Sequence, residues 1–304
     1  MTMENNQYHI PVLLNESVDH LLVGDSGVYV DVTFGGGGHS REVLSRLSAG
    51  GVLVAFDQDE DAKSNVLEDE RFHFVDQNFQ FVKQNLRLLG YRQVDALLAD
   101  LGVSSHQFDT GERGFSIRFD GRLDMRMNQS ASLDAWTVVN EYGEEDLARI
   151  FKLYGELKNA KQVANRVVYR RADQSIDTAE DLKSCLKSLA TNGKHNQFFA
   201  KVFQAVRIEV NSEMKVLEDL LLQLPDLIKP GGRIVFITYH SLEDRMVKNF
   251  VKSGNIEGVL DKDFFGNLNR PFKEVNRKPI LPSDEELERN SRARSAKLRV
   301  AERI

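Results

Sequence analysis

A single cysteine, Cys185, stands in 304 residues. One thiol closes no internal disulfide and supplies no cysteine cluster, so no metal site is expected; it suits a reducing compartment. Long apolar runs are missing too. Nothing approaches the roughly 18–20 apolar residues that cross a bilayer, so no membrane span is expected. The polar start, Met1–His9, has no apolar signal core, which leaves the cytoplasm as the expected compartment. Internal repeats and low-complexity tracts are absent. So is a basic excess: a net charge of −6 argues against coating nucleic acid by bulk charge. With 41% hydrophobic and 28% charged residues the chain is an ordinary globular protein, long enough for one large domain or two.

Positive charge is present, but locally. Arg289–Ile304 holds Arg289, Arg292, Arg294, Lys297, Arg299 and Arg303 against one acid, Glu302. Lys161, Arg166, Arg170 and Arg171 form a second, acid-free stretch. Such patches suit an anionic partner engaged at one face, although solvated helix faces carry the same pattern.

The first hundred residues alternate strands and helices. Val28–Val32 is a short β-branched run entering the glycine-rich turn Thr33–Gly38. His39–Leu47 follows with helical spacing of Val43, Leu44 and Leu47. Gly50–Gly51 stops that helix, and Val52–Phe56 is a second strand, closed by Asp57. Phe72–Val75 and Val94–Leu98 are the third and fourth, the latter ending at Asp100. Strands separated by helices imply parallel pairing, the doubly wound α/β class. From about Phe108 to Asn211 the segments read as helices instead: Glu144–Tyr154, Ala160–Arg171, Ala179–Ala190 and Phe198–Asn211. Strand character returns at Arg233–Thr238, after a helix at Ser212–Leu224 and the turn Lys229-Pro230-Gly231-Gly232. Asn269–Asp284, with three prolines, reads mostly as loop. The economical organisation is a discontinuous α/β domain, 1–107 with 212–304, interrupted by an inserted helical domain, 108–211.

The sharpest local feature is Asp31-Val32-Thr33-Phe34-Gly35-Gly36-Gly37-Gly38-His39. A strand that ends in glycines and opens a helix lets a ligand approach backbone N–H groups without Cβ obstruction. Asp57 closes the next strand about 20 residues on, where an acid accepts ribose hydroxyls; a helix cap or loop acid is its other reading. A dinucleotide loop would want a third glycine at residue 40 or 41, and those are Ser40 and Arg41. The methyltransferase pattern acid-x-G-x-G-x-G aligns Asp31 with Gly35 and Gly37, Thr33 replacing its first glycine. S-adenosylmethionine, which has no pyrophosphate, is therefore favoured over a nicotinamide cofactor. Phe79, after the third strand, either packs on adenine or belongs to the core. Asp100 opens Asp100-Leu101-Gly102-Val103-Ser104-Ser105-His106-Gln107, a carboxylate among small polar groups.

Taken together these motifs resemble the ribosomal RNA small subunit methyltransferase H family, also called MraW. The likeness is carried by His9–Leu14, Thr33–Ser40, Asp100–Ser105, Arg113–Ser116, Leu123–Met127, Phe203–Ile208, His240–Arg245 and Asn290–Arg299, effectively the whole chain. The resemblance implies a Rossmann-like methyltransferase domain with a helical insertion. It also implies transfer of a methyl group from S-adenosylmethionine to the N4 of a cytosine in the decoding region of 16S ribosomal RNA. The family's cofactor contacts carry over onto Gly37, Gly38, His39, Asp57, Phe79, Asp100 and Gln107. Gly36 stands where some relatives have arginine, and His106 where proline is common.

For the chemistry, Asp100 is placed nearest the reaction, with His240 a second candidate; a structural hydrogen bond would equally explain His240. The Asp/Asn-Pro-Pro-aromatic tetrapeptide of amino-methyltransferases is absent, since Leu101-Gly102-Val103 follows Asp100. Arg113, Arg118, Arg122 and Arg126 are candidates to grip RNA phosphates, with Arg292 and Arg294 in the tail; internal pairing with Asp120 and Asp124 competes for the first four. The expected partner is 16S ribosomal RNA within the small subunit or its assembly intermediate. An oxidoreductase, or a non-catalytic assembly factor that binds S-adenosylmethionine, are the other classes.

Overall fold

The computed structural model describes residues 11–191 and 193–304. The polar Met1–His9 start and the first two residues of the His9–Leu14 motif lie outside the described residues. Two compact units form, one from residues up to Gly102 together with Met214–Ile304, the other from Val103–Glu213. The sequence reading put these joints at 107/108 and 211/212. Val103 and Phe108 pack on the helical core, which draws the first joint forward. Arg207 pairs with Glu213 at 2.8 Å, which holds the second one back.

The first unit is built on a seven-stranded sheet of order β3-β2-β1-β4-β5-β7-β6. Its strands are β1 Val28–Asp31, β2 Val52–Asp57, β3 Phe72–Asp76, β4 Val94–Asp100, β5 Ile228–Thr238, β6 Phe272–Glu274 and β7 Lys297–Arg303. The first five pair in parallel, and β7 runs antiparallel to both β5 and β6. Alternate residues feed two apolar layers, as the two-residue period of a strand requires. Val30, Val54, Leu97 and Ile234 pack with Leu220, Leu224 and Phe250 on one face. Tyr29, Leu53, Leu98 and Val235 pack with Val43 and Leu44 on the other. Burial on both faces is why these strands read as continuous apolar runs.

Three details differ from the expectation. β5 starts before the Lys-Pro-Gly-Gly turn, whose residues loop out opposite Asp95 between the Val94–Ile228 and Ala96–Arg233 pairs. Lys229 Nζ returns to that Asp95 carboxylate at 2.8 Å. The expected loop 269–284 contains β6, and the basic tail contains β7.

The second unit holds the helices Ala135–Glu141, Glu144–Leu153, Ala160–Arg171, Ala179–Leu186 and His195–Asn211. Phe151, Val163, Val202 and Val206 stand in its core. No strand is assigned in this unit among the described residues. Among those residues, no helix is long and apolar enough to cross a membrane.

Candidate cofactor and acceptor site

The strand order reverses between β1 and β4, and ligands of open α/β sheets lie beyond the carboxyl ends at such a switch. All of β1–β4 end in aspartate: Asp31, Asp57, Asp76 and Asp100. Past β1 the backbone is stitched to both neighbours, Val32 N–H donating to Leu98 O and Phe34 N–H to Phe56 O, each at 3.0 Å. The turn then closes through left-handed Gly35 and Gly37, with φ of 50° and 73°. Helix Gly38–Arg46 follows.

Each acid has a different task. Asp31 is sealed under the turn and accepts from Thr33 N–H at 3.1 Å and Ser40 Oγ at 2.7 Å. Burial raises its pKa, opposed first by the nearby His39 charge. Thr33, the residue in place of the pattern's first glycine, accepts the Asp100 N–H on its Oγ1 at 2.7 Å. Asp57 accepts Gly35 N–H at 2.7 Å and Asp59 N–H at 2.8 Å, one on each oxygen. It thus works as a loop acid, holding the glycine turn. Burial nevertheless raises it to about 6. Arg41, where a dinucleotide loop would want glycine, reaches back to Gly36 O at 2.6 Å. Asp76 pairs with Lys63 at 2.7 Å on the surface.

Asp100 stands between a phenol and an imidazole. Tyr239 Oη donates to its Oδ1 at 2.7 Å. His39 Nδ1 lies 3.8 Å from its Oδ2, and the Asp100 side chain stays 23% exposed against 6% for His39. The other His39 nitrogen is 3.2 Å from Val12 O. Desolvation raises the Asp100 carboxyl to about 6, with the His39 charge and the Tyr239 hydrogen bond pulling the other way. Tyr239 itself is pushed well above its ordinary value by burial and by the Asp100 charge, so its phenol keeps the proton it donates. Tyr239 escaped the sequence reading. Its signal was its place, one residue beyond the end of β5.

His240 serves as the N-cap of helix Ser241–Ser253. Its Nδ1 accepts from Glu243 N–H at 3.4 Å, while Tyr239 N–H and His240 N–H donate to Glu243 Oε2 at 2.9 and 3.3 Å. Its Nε2 lies 3.0 Å from Glu243 Oε1. Phe79 starts a short 3₁₀ turn, partly buried against the sheet core. Asn78 Nδ2 donates to Gln58 Oε1 at 2.8 Å, tying the loop after β3 to the one after β2.

The glycines are partly spent on the protein itself. A Cβ on Gly37 would meet the Phe34 ring at 2.9 Å, and one on Gly38 would meet Pro11 Cγ at 2.1 Å.

In the second unit, Gln107 closes a capping box, its Oε1 accepting Ser104 N–H at 3.0 Å. Buried Arg113 donates to Arg126 O at 2.8 Å. Arg126 forks onto Asp124 at 2.6 and 2.9 Å. Arg122 pairs with Asp134 at 3.1 Å while its side chain stays 65% exposed, and Arg118 is exposed. In the tail of the first unit, Arg292 is half-buried and Arg294 exposed. Lys297 and Arg299 are engaged by Asp244 at 3.1 and 2.6 Å.

Sheet order, the glycine turn and the strand-end acids define an S-adenosylmethionine-dependent methyltransferase of the Rossmann-like class. The chain belongs to the MraW methylase family, whose profile matches residues 6–304. It is 56% identical over 303 residues to the ribosomal RNA small subunit methyltransferase H of Bacteroides fragilis YCH46, covering 100% of both chains. The Bacteroides thetaiotaomicron protein of that name gives the same identity and coverage. That of Flavobacterium johnsoniae is 55% identical over 298 residues, 98% of each chain. Among solved structures, a putative rRNA methylase from Clostridium thermocellum aligns distantly, with a TM-score of 0.44 and 13% identity, over 98% of this chain and 100% of that one.

Proposed function

We propose that this chain methylates the exocyclic N4 of a cytosine in the decoding region of 16S ribosomal RNA, within the small subunit or its assembly intermediate. The carrying observation is the reachable Asp100 carboxylate, held through one oxygen by Tyr239 at 2.7 Å and tied by its own N–H to the turn that opens the glycine loop.

The N4 lone pair is delocalised into the ring, so the amine is a weak nucleophile, uncharged at pH 7. In-line attack on a sulfonium methyl needs positioning and an acceptor for an N4 proton. With a pKa of about 6, Asp100 is mostly ionised at pH 7, yet basic enough to share that proton. Tyr239 fixes Oδ1, which leaves Oδ2 for the amine. His39, 3.8 Å from Oδ2, acts on Asp100 through its charge, and His240 acts through the helix it caps rather than on the substrate. A covalent thiolate route is disfavoured: Cys185 is buried, and burial raises its pKa.

S-adenosylmethionine supplies the methyl group. In this reading the turn Gly35, Gly37, Gly38 and His39 faces the amino-acid end. Asp57 takes the ribose hydroxyls on lone pairs left over from its two backbone bonds. Phe79 lies along the adenine. The second unit is the substrate-recognition domain, with Arg118 and Arg122 meeting phosphates, and Arg113 and Arg126 shaping the loop that presents them. Arg292 and Arg294 extend the phosphate contacts from the tail.

Incubation with labelled S-adenosylmethionine and small-subunit particles tests this. Label on N4 of one cytosine is expected. Cofactor binding without transfer would replace the reading with an assembly factor.

A further inference from the structure

One feature of the first unit lies outside this chemistry. Between helix Ser241–Ser253 and β6 the chain makes a small hairpin, with Lys262 and Leu268 bridged antiparallel. Asp263 N–H donates to Asn267 O at 2.9 Å and Asn269 N–H to Asp261 O at 2.9 Å. The Asp263 carboxylate gathers the tip, accepting Phe265 N–H at 2.9 Å, Asn267 N–H at 2.8 Å and Asn267 Nδ2 at 3.0 Å. Gly266 supplies the positive φ of 85° that the turn needs. This well-bonded tip carries Phe264, 99% exposed, and Phe265, 85% exposed. Their rings meet edge to face, centroids 5.7 Å apart and planes at 88°.

Two adjacent phenylalanines held in water gain nothing for the fold, because neither joins the apolar layers described above. The surroundings favour one kind of occupant. Lys248–Lys278 holds seven Lys and Arg against four acids. Asn269 and Asn267 bond Asp261 and Asp263 within the hairpin without neutralising them, and Arg270 and Lys273 are paired with Glu274 and Glu302. The stretch still carries an excess of cations along with its aromatic tip, the combination that binds single-stranded nucleic acid: cations for the backbone, rings for the bases. The perpendicular pair leaves a ring face open for a flat partner. Val259 and Leu260, exposed at the hairpin base, add apolar surface of the kind a splayed nucleoside covers.

We propose that the Phe264–Phe265 hairpin stacks on an unpaired base of the RNA substrate, a contact separate from the methylated cytosine. This rests on ribosomal RNA being the substrate. The full chain, saturated with S-adenosylhomocysteine so that no transfer occurs, is titrated into a labelled single-stranded oligonucleotide of the small-subunit RNA. Phe264→Ala/Phe265→Ala should weaken binding by about tenfold to a hundredfold. Phe264→Trp/Phe265→Trp should restore it, with the salt slope and thermal midpoint unchanged. Equal affinity of wild type and the alanine variant overturns the hairpin proposal, and leaves the functional reading intact if wild type still labels RNA. A wild type that neither binds nor labels RNA removes both. Loss of binding to anionic phosphatidylglycerol vesicles, or of self-association, with RNA affinity unchanged would assign the tip to a bilayer or a second copy instead.

Discussion

Tyr239 donates its phenolic hydrogen to Asp100 Oδ1 across 2.7 Å, joining the end of β5 to the end of β4. The bond opposes the burial that raises Asp100, so removing it should raise that carboxyl further above about 6. Tyr239→Phe should therefore shift the acid limb of the kcat profile to higher pH. A hydrogen bond worth about 1 kcal/mol moves that pKa by about 0.7, which lowers kcat by only about 1.4-fold at pH 7 but about threefold at pH 6. KM for S-adenosylmethionine should hold. An unmoved acid limb would deny Asp100 the proposed role of proton acceptor.

Acidification should stabilise the cofactor-free protein through the same carboxyl. Its folded pKa, about 6, lies above the unfolded carboxylate range, so its stabilising contribution is full below about 4 and is lost as pH rises through about 6. Asp100→Asn removes the buried charge while keeping an oxygen for Tyr239. The variant should be more stable than wild type at pH 7.5 by about 1–2 kcal/mol, allowing for partial exposure. The gap should close by pH 4.5 in denaturant melts, and turnover should fall by about a hundredfold or more. A pH-independent gap would contradict the burial argument.

Gly38 is fixed by Pro11. The 2.1 Å approach of a Cβ to Pro11 Cγ predicts that Gly38→Ala loses about 1–3 kcal/mol even without cofactor. Pro11→Ala should recover much of that loss in the double variant, a coupling that a purely ligand-facing glycine would not show. Thermal melts of the four proteins decide it.

The arginines should separate into two groups. Arg118→Ala and Arg294→Ala, at exposed sites, should each reduce the salt slope of RNA binding by about one and leave melting unchanged. Arg113→Gln should instead lower the melting midpoint, because its guanidinium holds the Arg126 carbonyl in a buried loop. Equal effects at all three positions would refute the division.

What could be read along the chain follows a physical line. β1 to β4 and the Gly35–Gly38 turn were legible because strand, turn and helix chemistry is local there. Asp57 and Asp100 were legible as strand ends. β7 was not: the charged–apolar alternation of Lys297–Val300 breaks at Ala301, and its strand character comes from lying between β5 and β6. The same blindness made Lys297 and Arg299 look available, when their partner Asp244 lies more than fifty residues earlier. Tyr239 was invisible as a site residue because its task exists only once β4 and β5 pair. The glycine loop read as an opening for a ligand, whereas Gly37 and Gly38 also answer to Phe34 and Pro11.

The aspartates that close β1, β2 and β4 have raised pKa values chiefly because burial penalises their charge. A cation arriving beside them relieves that penalty, and a neutral molecule of the same shape does not. The donor enters as a sulfonium and leaves as a thioether. Where the sulfonium sits within reach of these charges, methyl transfer cancels the attraction that drew the donor in, so charge favours release of the spent cofactor and ties its departure to the chemical step.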